Sequence, residues 1–108
     1  MKVYHPDSIT GTNEYGGTVK IIIDEKTPSN LMSGIFTLKP GEALVPDIHQ
    51  SDEVFYILSG QLTLRDGEKT EEYKVQAGSM VWIPKGQVHL SSNEDEEDVV
   101  IFWTNAYS

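Results

Sequence analysis

An all-β domain, an antiparallel sandwich or small barrel, follows from three features of the sequence. Apolar residues recur at period two or in short β-branched and aromatic runs. Gly, Pro, Asn and Asp clusters punctuate those runs at short intervals. No stretch holds a helical period over three turns. At 108 residues the chain is one domain, long enough to bury roughly two thirds of its unfolded surface. It therefore needs neither a disulfide nor a metal merely to fold.

Residues 1–16 mix polar residues with Pro6 and Gly11 and hold no sustained period, so they are expected to form an N-terminal arm, with the barrel domain over 17–108. Val19, Ile21 and Ile23 alternate after Gly16-Gly17, which predicts a strand, and Thr27-Pro28-Ser29-Asn30 predicts a loop. Leu31 to Leu38 is a second strand, ended by a turn at Pro40-Gly41. Val54 to Leu58 is an apolar run stopped by Ser59-Gly60 and predicts a buried strand. Gln61 to Arg65 alternates strictly, Asp66-Gly67 signals a hairpin turn, and Glu71 to Val75 is the return strand. Ser79 to Pro84, Gln87 to Ser92 and Val99 to Thr104 complete about eight short strands. The acidic run Asn93 to Asp98 lacks the alternating ligands and interior glycine of a calcium loop, and is expected to be a solvated connection.

Composition narrows the function. There are 17 acidic against 8 basic residues, a formal charge of −9, with Arg65 the lone arginine. Nucleic acid and anionic membranes are bound through clustered Lys and Arg, so neither is an expected partner, and a neutral or singly charged small molecule is the expected ligand. The chain has no cysteine, which removes thiolate catalysis, Fe–S clusters and disulfide frameworks. The N-terminus has no apolar signal region, and no apolar run approaches the roughly 18 residues of a spanning helix. A soluble, cytoplasmic protein is the expectation.

The chemistry concentrates in two glycine-bounded segments. Gly41 to Gly60 carries Asp47, His49 and Glu53, all at odd positions, so an extended backbone projects Asp47 and His49 from one face and Glu53 rejoins it if the 50–52 link keeps parity. Gly78 to Asn93 carries Pro84, Gly86 and His89. Together these resemble the two signature motifs of the cupin superfamily, G-x5-H-x-H-x3-E-x6-G and G-x5-P-x-G-x2-H-x3-N. The second is matched at every fixed position, which chance would supply about once in 30,000 chains of this length. In the first, Gly41, His49, Glu53 and Gly60 match, and Asp47 stands where the family usually has its first histidine.

The resemblance implies a single-domain antiparallel jelly-roll β-barrel, usually a homodimer, with one divalent metal inside it, Fe, Mn, Ni or Zn. It implies Asp47, His49, Glu53 and His89 as the ligands. Two neutral imidazoles and two carboxylates would cancel the ion's charge and leave positions for water, O2 or substrate. Two reaction types are compatible: oxygenation, or non-redox lyase, isomerase or ring-opening chemistry with Glu53 or Asp47 moving a proton. The alternative is a metal-free sugar or effector pocket, in which two buried carboxylates would push at least one carboxyl pKa up. Phe36, Tyr56, Trp82 and Trp103 are either an aromatic wall of the cavity or core, and His5, without partners in sequence, is an ordinary polar residue.

Overall fold

A computed structural model describes residues 1–24, 26–27, 29–46, 51–68 and 70–106. Among the described residues nine strands form two antiparallel sheets. β1 (Thr12–Glu14), β2 (Gly17–Ile23), β3 (Leu31–Leu38), β9 (Val99–Ala106), β4 (Glu53–Ser59) and β7 (Met80–Ile83) make a six-stranded sheet in the order β1-β2-β3-β9-β4-β7. β6 (Glu72–Gln76), β5 (Gln61–Asp66) and β8 (His89–Ser92) make a three-stranded sheet in the order β6-β5-β8. The fold is all-β and antiparallel, as the strand pattern predicts, in the jelly-roll arrangement that the resemblance implies. Among the described residues the helical structure is one 3-10 turn, Pro6–Ser8, and no helix is long and apolar enough to cross a membrane.

Alternation produces the core. On β4, Phe55 and Ile57 point inward while Val54, Tyr56 and Leu58 are exposed; on β9, Val99, Ile101 and Trp103 point inward. Facing them from the second sheet are Leu62, Leu64 and Val75. Leu38, Ile57, Leu62 and Ile101 are fully buried, and each contributes about 1.5–3 kcal/mol by leaving water.

The turns follow their residues. In Lys39-Pro40-Gly41-Glu42 the Glu42 N–H donates to the Lys39 carbonyl at 3.0 Å, and Gly41 takes φ +85° behind a proline that presets the preceding angle. The connection of residues 43–44 then returns along β8: Ala43 bridges Ser92 and the Leu44 N–H donates to the Ser91 carbonyl at 2.9 Å. The strand expected over 87–92 begins at His89, because Gln87 N–H closes a turn onto the Pro84 carbonyl at 3.2 Å.

β1 lies inside the segment read as an arm. Its three residues are all exposed, so no inside-outside pattern marks it, yet it pairs with β2 through a tight Tyr15-Gly16 turn in which both residues have positive φ, 59° and 97°. That turn is packed hard against the connection of 43–44: a Cβ on Gly16 would come within 2.0 Å of the Ala43 carbonyl oxygen.

Asn93 closes one end of the sandwich. It is 1% exposed; its amide donates to the carbonyls of Leu38 at 2.9 Å and Glu97 at 2.7 Å, and its side-chain oxygen accepts from Asp95 N–H at 3.0 Å. Of the acidic run that follows, Glu94 is tied by Arg65 at 2.5 Å, and Arg65 also reaches Glu72 at 2.6 Å. The residues from Glu94 to Asp98 are otherwise solvent-facing, the solvated connection expected.

Two outcomes are expected. Asn93→Ala leaves the buried Leu38 carbonyl without its donor and should cost about 2–4 kcal/mol in chemical denaturation. The Arg65 guanidinium, with the Ser92 hydroxyl, pulls the Glu94 carboxyl from 4.5 to about 2. Because the folded pKa is the lower one, this tie contributes fully above pH 4.5 and is lost as pH falls toward 2. Arg65→Met should flatten that part of the stability-against-pH curve, most visibly at low salt.

Candidate functional site

Glu53 opens β4 and His89 opens β8, so one comes from each sheet. Both side chains turn inward and are 5% and 9% exposed, and His89 Nε2 lies 3.6 Å from Glu53 Oε1. That distance is too long for a hydrogen bond, and the contact is an ion pair only when the imidazole is protonated. The Phe55 ring stands edge-on to the imidazole at 5.8 Å and fixes its plane. Asp52, one residue before Glu53, accepts from the Trp82 indole N–H at 3.0 Å and the Lys85 N–H at 2.9 Å. These bonds fasten the start of β4 to the end of β7, and the Lys85 N–H, then the Trp82 indole, hold the Asp52 carboxyl below its usual value.

Between the sheets lies a cavity of about 260 Å³. Its walls are Ile21, Met32, Phe36, Leu44, Phe55 and Trp103, with Tyr15 and Val45 at the exposed side. Its polar lining is Glu53, His89, Ser91 and Asn105. Among the described lining residues there is no Lys or Arg, and Glu53 is the one acidic side chain. A second, larger hollow of about 540 Å³ lies outside, where β6 and β7 leave the two sheets unjoined, and His89 borders both.

The structure brings together Glu53 and His89 of the expected set. Asp47 and His49 lie outside the described residues. Among the described residues no group of three or more metal-competent side chains assembles. Of the four aromatics weighed as wall or core, Phe36 and Trp103 line the cavity, their rings 5.9 Å apart, whereas Tyr56 and Trp82 stand on the outer face of the sheet. His5 sits on the surface, accepting the Asp7 N–H. Ser91 and Asn105 escaped sequence reading. The signal was parity: each lies two residues along a strand from an inward residue, His89 and Trp103 respectively.

The glycines of both motifs do the same job. Gly41, Gly60, Gly78 and Gly86 all have positive φ, and a Cβ on Gly60 would meet the Asp98 carbonyl oxygen at 2.3 Å. The motif spacing therefore measures strand lengths between obligatory turns, and the histidine and glutamate fall at strand starts.

The family model described as Cupin domain matches residues 34–105. No curated protein sequence matches the chain. Among solved structures, the polyketide cyclase RemF from Streptomyces resistomycificus is 19% identical with a TM-score of 0.85, over 100% of this chain and 80% of that one. A predicted oxalate decarboxylase from Thermotoga maritima is 20% identical with a TM-score of 0.85, over 99% of this chain and 100% of that one. A Cupin 2 conserved barrel domain protein from Salinispora arenicola is 15% identical with a TM-score of 0.84, over 100% and 89%. At these identities the likeness is one of fold.

Proposed function

The chain belongs to the cupin family, and from that premise we propose that it is a metal-dependent enzyme acting in the barrel on a small neutral or weakly anionic molecule. What supports this most is the meeting of Glu53 and His89 from opposite sheets, buried and 3.6 Å apart at the edge of an apolar cavity. Their donor chemistry, one carboxylate and one imidazole, suits a divalent Fe, Mn, Ni or Zn. Their separation fits two donors each about 2.0–2.2 Å from one ion. Asp47 and His49 are proposed to complete the set.

When bound, the metal would supply Lewis-acid stabilisation of charge developing on a substrate oxygen. The protein supplies the rest. The apolar walls exclude water and strengthen the local electrostatics. The Glu53 carboxylate, or that of Asp47, takes a proton from a position next to a carbonyl and returns it, which favours lyase, isomerase or ring-opening chemistry over oxygenation. Elemental analysis of protein purified without chelator should find one ion per chain, and His89→Ala should weaken its affinity at least about 100-fold. Protein without metal, unshifted in melting by Mn, Fe, Ni or Zn yet stabilised by a sugar, would replace this reading with a binding module.

The homodimer is proposed to form through the outer face of the six-stranded sheet. Val54, Tyr56, Leu58, Met80 and Trp82 stand exposed there, Val54 opposite Trp82 and Tyr56 opposite Met80, and none carries a charge. In a chain of charge −9 this is the neutral place to bring two copies together. These five leave on the order of 500 Å² exposed. A stable pair needs about 800 Å² on each partner, which the half-buried Ile35, Val100 and Phe102 beside them bring within reach. Light scattering should give a dimer that Trp82→Glu converts to monomer; a wild-type monomer at tens of micromolar would overturn the proposal.

A further inference from the structure

Three polar atoms of the cavity lining have no hydrogen-bond partner among the described residues: Trp103 Nε1, Ser91 Oγ and Asn105 Oδ1. Trp103 is 6% exposed and Ser91 3%. Left dry, a buried polar group without a partner costs about 1–3 kcal/mol, so three around one small cavity call for a partner from outside the chain, a ligand or water. The register places them deliberately close to the acid-base pair. Asn105 is directly opposite Glu53 across β9 and β4, Trp103 is opposite Phe55, and Ser91 lies two residues from His89 on the other sheet.

Their chemistry specifies a complement. The indole N–H can only donate, the Asn105 oxygen accepts, and the Ser91 hydroxyl does either. Ile21, Met32, Phe36 and Phe55 around them provide apolar surface, and Phe36 and Trp103, packed on each other at 5.9 Å, form one aromatic wall against which a ring can rest. With no cation among the described lining residues and a carboxylate present, the described side chains favour a neutral ligand over an anionic one. At about 260 Å³ the space is below the range of about 300–1,000 Å³ that drug-sized ligands occupy.

We infer that the cavity recognises a neutral hydroxy-carbonyl compound of one or two rings, its carbonyl oxygen accepting from the Trp103 indole and its hydroxyl donating to Asn105, with Ser91 bridging. This deepens the proposed function and rests on its placing the ligand in this cavity, but it does not require the metal. Ser91 and Asn105 are binding residues in this scheme, and the proton transfer stays with Glu53 or Asp47.

The test uses the full chain carrying Trp82→Phe, so that Trp103 is the sole indole, with 3′-hydroxyacetophenone, whose hydroxyl cannot close onto its own carbonyl, acetophenone, cumene and salicylate as probes. The expected result is saturable binding of 3′-hydroxyacetophenone that moves the indole N–H resonance. Acetophenone should bind about 3- to 10-fold more weakly, the loss of one hydrogen bond, and cumene and salicylate more weakly still. Ser91→Ala should weaken binding by a similar factor while leaving the melting temperature of the unliganded protein unchanged or raised, which a structural hydroxyl would not do. Equal affinity for all four probes, a preference for salicylate, or binding indifferent to Ser91→Ala and Asn105→Ala would overturn the inference. Metal content separates the two readings: binding with this selectivity to a protein that takes up no metal removes the enzyme and keeps the ligand class, whereas a metal-loaded protein that ignores the hydroxyl does the reverse.

Discussion

The amide of Asn93 is the constraint on which the rest of the structure rests. Its side chain holds the end of β3 through the Leu38 carbonyl and the acidic connection through Glu97 and Asp95. Its backbone is just as occupied: Asn93 N–H donates to Glu42 and the Asn93 carbonyl accepts from Gly41, each at 2.9 Å. The Pro40-Gly41 turn, the last residues of β3 and the end of β8 are thereby locked in one register. From that lock β8 runs back four residues, about 13 Å, to His89. Whether the imidazole faces Glu53 or solvent is decided at the other end of the strand.

Electrostatics divides the molecule along the same line. Arg65 and its two glutamates fasten β5 to β6 and to the acidic connection, in solvent where salt screens them. In the interior the Glu53 carboxylate and the His89 imidazole sit among aromatic and aliphatic walls, where a charge of either sign needs a partner. Among the described residues the excess of acid that defines the composition lies largely on the surface, with Glu53 the buried exception.

How much was legible in the sequence depends on which physical signal carried it. Eight strands were readable because alternation or an apolar run marked each, and the hairpin at Asp66-Gly67 because the turn chemistry is local. β1 was not, since Thr12, Asn13 and Glu14 are all exposed and offer no contrast. The Tyr15-Gly16 pair was its only trace. Glu53 and His89 were legible through their spacing from obligatory glycines. Ser91 was hidden because Leu90 beside it is more apolar yet less buried, so hydrophobicity pointed to the wrong face. Asn105 was hidden likewise, beyond the expected end of the last strand.

On β4 and β9 the odd-numbered residues, Glu53, Phe55, Ile57, Ile101, Trp103 and Asn105, look into the molecule, while the even-numbered ones, Val54, Tyr56, Leu58, Val100 and Phe102, look out. The same two strands thus write two texts interleaved letter by letter, one read by a ligand and the other by whatever meets the surface. Because a strand side chain reaches only its own face, single substitutions can revise either text without smudging the other. An insertion of one residue would exchange them. A scaffold so arranged can change what it binds and how it assembles on separate schedules, provided the count between its turns is kept.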